Sequence, residues 1–372
     1  MLRRAPSRIA GVDVARGVAL LGMAAVHVLP GEDPDGSPTW TDTVFAGRSA
    51  ALFAVLAGVG LALAYRRPGV RDALALVVRA ALIGLLGLWL GDADSGVAVI
   101  LAYYALFFAL ALPWLRAGPR VLLASAAVVA VVVPFVAQAL RDDLPERDVA
   151  SPVLGDLAEP GQLLSELLVT GYYPATSWIA YLLVGMAVGR LPLQRTRTAL
   201  QVAGAGAGLA LAAHGMSALL LGPLGGYDRV AEQVRLPAGV GIEDAVGEGR
   251  FGAVPTTTRW WLATDAPHST TPLDLAATTG TALLVLGLAL LLAAAVPLVL
   301  HPLAAAGSMP LSLYAGHVTL LGATDADDPT QYYWLQVLVA LLLAVLWRRA
   351  VGRGPLETVV ALAVRPLRRR GT

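Results

Sequence analysis

Long apolar segments recur along the whole chain and constrain its fold more than any other feature. Windows of roughly 15 to 23 residues, separated by polar or Gly/Pro-rich joints, have the length and hydropathy of membrane helices. The chain has about ten of them, near residues 9–29, 48–65, 73–90, 97–115, 121–140, 175–190, 198–221, 273–295, 308–322 and 332–348. Only 14% of the 372 residues are charged, against about 25% in a soluble domain. The sequence therefore predicts an all-α, polytopic integral membrane helix bundle.

Joints in which arginines predominate alternate with joints in which acidic residues predominate. Arginines mark the joints near residues 3–8, 66–71, 116–120, 190–197 and 348–370, and acidic residues mark those near 31–42, 91–96, 141–174, 222–272 and 322–328. The positive-inside rule puts the arginine-bearing joints and both termini in the cytoplasm. We predict a multi-pass plasma-membrane protein with one transmembrane domain over 1–372. Its parts are a helical core at about 9–348, an extracytoplasmic loop at 222–272 and a cytoplasmic arginine-rich tail at 349–372.

Two absent residue types exclude several chemistries. The chain has no Cys, which excludes disulfides, thiolate metal ligands and a Cys nucleophile. It also has no Lys, which excludes a Schiff-base lysine and a Walker A phosphate loop. No H-E-x-x-H motif or His/Asp cluster at helical spacing is present, so we predict no metal site. Membrane topology accounts for the basic residues, so nucleic acid is not an expected partner.

The first apolar segment, 9–29, carries three polar residues at membrane depth: Asp13, Arg16 and His27. The eleven steps from Arg16 to His27 make almost three helical turns, so both side chains lie on one stripe, roughly 16 Å apart. Ionisable groups at this depth usually face a protein interior or a watery cavity. The segment is therefore predicted to line a passage that runs from Arg16 to His27.

Four ionisable residues from distant parts of the chain share the outer depth of the predicted bundle: His27, Arg48, His268 and His317. An imidazole suits general base catalysis near neutral pH, so the three histidines are candidate catalytic residues. Each also has a structural interpretation. His27 and His317 could be hydrogen-bonded packing residues, and His268 could cap the helix that follows it.

A second group of charged residues lies toward the predicted cytoplasmic side. Asp13 and Arg16, spaced i,i+3, can simply pair with each other. Alternatively, Arg16 faces the phosphates of a ligand from the cytoplasm while Asp13 holds the guanidinium in place. Arg79 is the second candidate for phosphate contact, although its side chain could equally extend to the interface. His214 is interpreted as a structural residue, and His301 is interpreted as a residue at the cytoplasmic edge of the bundle.

Several of these motifs resemble a family of transmembrane acyltransferases. RIAGVDVARGVALLGMAAVH (8–27) resembles the first helix of bacterial members, and its Arg-to-His spacing is similar to that of the acyltransferase 3 family, where the His is held to be catalytic. Further segments resemble the heparan-α-glucosaminide N-acetyltransferase-like branch: GRSAALFAVLAGVGLAL (47–63), ILAYYALFFALALP (100–113), TGYYPATSWIAYLLVGMAVGRL (170–191), APHSTTPLDLAATTGTALLVLGL (266–288) and AAGSMPLSLYAGHVTLL (305–321). The resemblance covers about residues 8–348.

This resemblance implies an enzyme that carries an acyl group, typically acetyl, from cytoplasmic acyl-CoA to an extracytoplasmic hydroxyl or amine. The expected acceptor is a glycan or lipid of the cell envelope. The other expected partners are membrane lipids, and a homodimer is an alternative to a monomer. In the eukaryotic enzyme the essential His lies in the loop after the first helix. Here segment 30–46 contains no His, and His27 occupies the acyltransferase 3 position instead.

On this interpretation Arg16, with Asp13 and Arg79, holds the phosphates of acyl-CoA at the cytoplasmic mouth. His27 takes the proton from the acceptor, and Arg48 or His317 stabilises the oxyanion. A covalent acyl-His intermediate is an open variant.

Two other functions fit the same pattern of buried charge. A transporter or flippase of a lipid or envelope precursor would also place ionisable groups at these depths. A catalytically silent membrane scaffold would retain its function after His27 and His317 were replaced. Consumption of acyl-CoA by the purified protein separates an acyltransferase from both.

Overall fold

The structure is a computed structural model that describes residues 8–65, 68–145, 151–236, 239–324 and 326–368. Arg3, Arg4, Arg66 and Arg67, which contribute to the predicted topology, lie outside the described residues. The same is true of the last four residues of the predicted cytoplasmic tail.

The described residues form an all-α structure, as the apolar windows predict. Their only strand-like feature is an isolated bridge between Glu32 and Pro38. The helices are α1 (Ala10–Val28), α2 (Trp40–Phe45), α3 (Arg48–Ala64), α4 (Val70–Gly91), α5 (Leu101–Ala111), α6 (Pro119–Leu140), α7 (Pro160–Ser165), α8 (Ala175–Val188), α9 (Thr196–Leu221), α10 (Gly226–Ala231), α11 (Ile242–Gly247), α12 (Pro272–Ala295), α13 (His301–Ala306), α14 (Pro310–Ala323), α15 (Pro329–Ala350) and α16 (Pro355–Arg368).

Among the described residues, seven helices are long and apolar enough to cross a membrane, and an eighth span is possible if a bent pair counts as one. This is a multi-pass membrane architecture, with fewer full-length spans than the ten windows suggest. The apolar helix Leu101–Trp114 and α14 each have 14 residues. Fourteen residues rise only about 21 Å, against a hydrocarbon core of about 30 Å.

The bent pair lies at the window that begins near residue 175. Helix α7 continues into a π-helical turn, Glu166–Thr170, and the chain then bends by 54° into α8. Pro174, which lacks a backbone N–H, precedes the first residue of α8. The break places Tyr173 inside the bundle, where its side chain is 7% exposed.

Helix α1 is central to the bundle and packs against α3, α12 and α13, with α14 and α15 beside it. Small residues allow the closest approaches, as is usual between membrane helices. Gly58 of α3 lies against the backbone of Leu182, and Gly185 of α8 lies against the backbone of Val55. These contacts join α3 and α8 into one side of the central group.

Helix α14 is held at its N-terminus by a carboxylate from α16. Glu357 Oε1 accepts hydrogen bonds from the backbone N–H groups of Leu311 at 2.8 Å and Ser312 at 3.2 Å. Glu357 Oε2 also accepts a hydrogen bond from the Ser312 hydroxyl. A carboxylate at this position satisfies helix-terminal donors and complements the helix dipole. The C-terminal helix thereby positions α14, which carries Tyr314 and His317.

Candidate active site

Two of the predicted histidines meet inside the bundle. His27 lies in the last turn of α1, and its Nδ1 is 3.1 Å from Nε2 of His317 on α14. The two rings are nearly parallel, with centroids 5.3 Å apart and an interplanar angle of 14°, and they meet edge to edge at this contact. The other ring nitrogen of His317, Nδ1, is 2.7 Å from Oε1 of Gln336 on α15. Three helices thus contribute to one chain of hydrogen bonds that ends at His27.

A cavity of about 30 Å³ lies beside His27. Its polar lining consists of His27, Ser49, Tyr173, His268 and Tyr314. This volume holds two or three waters at most, since a water needs about 10–15 Å³ of such space. The cavity is therefore too small for a substrate, and a substrate can fit only if the surrounding helices or loops move.

His268 reaches the same cavity from the loop before α12. Its φ of +57° is a left-handed backbone conformation that non-glycine residues adopt rarely. Nε2 of His268 accepts a hydrogen bond of 3.2 Å from the backbone N–H of Gly47, and the ring stacks on Trp178 at an interplanar angle of 13°. Burial lowers the pKa of His268 to about 4, so the imidazole is neutral at pH 7.

The capping interpretation of His268 is wrong, because another residue caps α12. The Thr271 side chain accepts the N-terminal hydrogen bond from the Asp274 backbone N–H. The left-handed turn at His268 instead directs its ring toward Tyr173 and Trp178.

Arg48, the fourth member of the predicted outer group, points elsewhere. Its guanidinium donates a 2.6 Å hydrogen bond to the backbone carbonyl of Thr43. The residues on either side of it, Gly47 and Ser49, line the cavity, whereas Arg48 itself does not. Gly47 has φ +68°, which turns the chain sharply at the start of α3.

Asp13 and Arg16 form the ion pair that their spacing suggests. Arg16 Nη1 is 3.2 Å from Asp13 Oδ1, and Arg16 Nη2 donates a 3.3 Å hydrogen bond to the Leu56 carbonyl. Leu20 and Met23, on the stripe between Arg16 and His27, are 5% and 6% exposed. The expected passage along this stripe is therefore filled by buried side chains in this structure.

Arg79 lies on α4, on an exposed part of the helix surface. Its guanidinium carbon is 5.8 Å from the centroid of the Phe108 ring. The two other histidines lie outside the cavity. His214 pairs with Asp265, and His301 begins α13. No group of three or more potential metal ligands occurs in the part of the chain that the structure describes.

Sequence reasoning missed four polar residues of this site: Ser49, which lines the cavity, Tyr314, Tyr173 and Gln336. The Tyr314 hydroxyl accepts a 3.3 Å hydrogen bond from the Ile100 backbone N–H, and the Tyr173 hydroxyl donates one of 3.3 Å to the Ala98 carbonyl. Gln336 contacts His317. Two of them carry a sequence signal: Tyr314 precedes His317 by one helical turn, and Gln336 is a lone amide in the apolar run WLQVLVALLL.

Comparison with known proteins identifies one family. The model of the family described as "Heparan-alpha-glucosaminide N-acetyltransferase, catalytic" matches residues 8–221, which is more than half of the chain. The matched part contains Asp13, Arg16, His27, Arg48 and Arg79. No curated protein matches the chain.

Proposed function

Because the chain belongs to the heparan-α-glucosaminide N-acetyltransferase catalytic-domain family, we propose that it is a membrane acetyltransferase whose general base is His27. The family uses acetyl-CoA as donor. The observation that carries the assignment is the hydrogen-bonded contact between His27 and His317 beside a cavity that His268 and Tyr314 also line. A general base and hydrogen-bond donors for the oxyanion are what acyl transfer from a thioester requires.

His27 acts through Nε2. Its Nδ1 is engaged by His317, while Nε2 makes no hydrogen bond with the described residues and the ring lines the cavity. Nε2 takes the proton of the acceptor hydroxyl or amine as the acceptor attacks the thioester carbonyl carbon. The new C–O or C–N bond forms, the C–S bond breaks, and the imidazolium returns the proton to the departing CoA thiolate.

Two neutral groups can donate hydrogen bonds to the developing oxyanion. The Tyr314 oxygen already accepts from Ile100, which leaves its own proton free to be donated. His268 accepts at Nε2 from Gly47, so its proton is on Nδ1. The guanidinium of Arg48 would reach the cavity only after its hydrogen bond to the Thr43 carbonyl breaks. We therefore assign Arg48 a role only in a conformation in which the bundle has opened.

The donor phosphates are assigned to Arg16, oriented by Asp13, with Arg79 as a second contact. Arg16 has the geometry for this role, because Asp13 and the Leu56 carbonyl hold its guanidinium at a fixed place on α1. The pantetheine arm would then displace Leu20 and Met23 to bring the thioester to His27. Opening of the bundle is thus part of the proposed cycle.

The alternation of arginine and acidic joints supports cytoplasmic termini and a single transmembrane domain. In that orientation α1 begins at the cytoplasmic face and His27 lies near the outer face. Acetyl-CoA would arrive from the cytoplasm, and the acceptor would be an extracytoplasmic glycan or lipid of the cell envelope.

The function is tested with purified protein in lipid nanodiscs, [¹⁴C]acetyl-CoA, and envelope glycans and lipids as acceptors. An acetyltransferase releases CoA and transfers the label to an acceptor. A transporter or flippase of a lipid or envelope precursor leaves acetyl-CoA intact, and this outcome with every acceptor fraction would reject the proposal.

A further inference from the structure

Gln336 is the third member of the hydrogen-bonded chain that ends at His27. It lies on α15, which is otherwise apolar around it, and its Oε1 is 2.7 Å from His317 Nδ1. Its Nε2 is buried and has no hydrogen-bond partner among the described residues. Burying an unpaired amide group is unfavourable, because the group loses its hydrogen bonds to water. Stability alone therefore does not account for a glutamine at this position.

The chemistry of the amide oxygen determines where the protons lie. A carbonyl oxygen only accepts hydrogen bonds, so His317 must carry its proton on Nδ1 and a lone pair on Nε2. That lone pair accepts a hydrogen bond from Nδ1–H of His27 over 3.1 Å. A neutral His27 then has its lone pair on Nε2, the nitrogen that no described residue engages.

We propose that Gln336 is a positioning residue that acts through His317 to hold His27 in the tautomer with a basic Nε2. The inference rests on the proposed acetyl transfer, in which His27 is the base. An amide suits this task inside a membrane, because it orients the imidazoles without adding a buried charge. When Nε2 of His27 gains a proton, the positive charge on the imidazolium is stabilised by His317, which accepts the hydrogen bond from His27 Nδ1–H. Through His317, the carbonyl dipole of Gln336 stabilises it further.

The tautomer can be measured directly, without any activity. In protein labelled with ¹⁵N-histidine, the imidazole nitrogen shifts in nanodiscs at pH 8 distinguish a protonated from an unprotonated nitrogen. We expect His27, assigned by the loss of its signals in His27→Asn, to be protonated on Nδ1 and unprotonated on Nε2. Gln336→Leu should give a mixture of tautomers. Protonation of His27 on Nε2 in the unaltered protein, as a reversed Gln336 amide would produce, overturns the proposal.

Kinetics supply the second test, with Gln331→Glu at the exposed start of α15 as a matched control. Gln336→Leu should lower kcat by about 10-fold or more, with an unchanged KM for acetyl-CoA. Gln336→Glu keeps an acceptor at the same place, so it should retain activity. The carboxylate introduced by this substitution would stabilise a positive charge on the His27–His317 pair, so this pair would gain its proton at higher pH. The acid limb of the pH–rate profile should therefore move upward by about 1 pH unit or more.

The titratable groups around His27 allow this shift to be assigned. Besides His317, they are His268, Tyr314 and Tyr173 at the cavity, and Tyr333 of α15, which donates a hydrogen bond to the Leu21 carbonyl. His268 is the other imidazole at the cavity. The pH–rate profile is therefore measured again in a His268→Asn background, where a shift cannot come from His268.

The outcomes separate the two proposals. An unshifted acid limb in Gln336→Glu, together with an unchanged kcat in Gln336→Leu, rejects the role of Gln336 while acetyl transfer stands. The expected tautomer in a protein that never consumes acetyl-CoA rejects the acetyl transfer while the positioning stands.

Discussion

At the scale of single residues, the site combines uncharged hydrogen-bonding groups rather than ion pairs. His27, His317 and Gln336 form one chain, and Tyr314 and His268 face the same cavity. Neutral groups can be buried at membrane depth at lower cost than charges. The ion pair of Asp13 and Arg16 lies far along α1, where Arg16 is roughly 16 Å from His27 along the helix axis. In the proposed function, proton transfer and phosphate binding would thereby be separated on one helix.

His268 makes the stability of the protein depend on pH. Its pKa is about 4 in the folded protein because of burial, against 6.5 ordinarily. Between these values the unfolded chain binds a proton that the folded protein does not, so stability is full above pH 6.5 and falls as the pH drops toward 4. The full loss is about 3 kcal/mol.

We therefore expect His268→Asn to lose less thermal stability than the unaltered protein between pH 7 and pH 4.5. Asparagine tolerates the left-handed backbone at this position. The measurement is the unfolding midpoint in detergent by tryptophan fluorescence at each pH. Parallel pH dependences of the two proteins would show that His268 does not titrate as burial predicts.

Sequence reasoning located some of these residues and missed others for physical reasons. His27 and His317 stood out because imidazoles in apolar segments are costly unless they have partners. Arg48 was predicted beside the histidines, but after the turn at Gly47 its guanidinium contacts the Thr43 carbonyl while its neighbours line the cavity, so its catalytic role stays a prediction. Gln336 has no periodic partner on its own helix, so only the packing of three helices reveals its contact with His317.

At the scale of elements, the packing of α3 against α8 depends on glycine. A Cβ at Gly185 would overlap the carbonyl oxygen of Val55, whereas a Cβ at Gly204 of α9 would meet no atom within 4 Å. Gly185→Ala should therefore force the helices apart and destabilise the protein by about 1–3 kcal/mol.

Gly204→Ala is the matched control, and it should leave stability unchanged or raise it, because alanine favours helices by about 1 kcal/mol over glycine. Both variants are compared by their thermal unfolding in detergent. Equal midpoints for the two variants would mean that α3 and α8 do not pack as closely as the structure has them.

The helical elements were largely predictable, but their breaks were not. Apolar windows fix the positions of the long helices α1, α4, α6, α9, α12 and α15, because hydropathy sets the requirement for burial or lipid contact. Composition does not show where a helix stops inside an apolar run. The short helix α14 and the bend before α8 depend on tertiary contacts, such as those of Glu357 and Tyr173.

At the scale of the whole molecule, the proposed orientation can be tested with single cysteines, because the chain contains none. Asp35→Cys and Glu243→Cys lie in the predicted extracytoplasmic loops, and Arg120→Cys and Arg353→Cys in the predicted cytoplasmic joints. All four positions are exposed.

A membrane-impermeant maleimide added to intact cells should label the first two and should label the other two only after permeabilisation. The cysteine-free protein is the control for background labelling. Labelling of Arg353→Cys in intact cells would contradict a cytoplasmic C-terminus and, with it, the direction assigned to acetyl transfer.

The proposed acetyl transfer depends on His27 as the base between donor and acceptor. The most direct measurement is the rate of acetyl transfer by His27→Asn, which keeps a donor at the position of Nδ1 and removes Nε2. Its control is His301→Asn, the same change at the start of α13, outside the cavity. We predict a kcat about 10² to 10⁴-fold lower for His27→Asn and unchanged for His301→Asn. A folded His27→Asn protein that transfers acetyl at the unaltered rate would contradict the account.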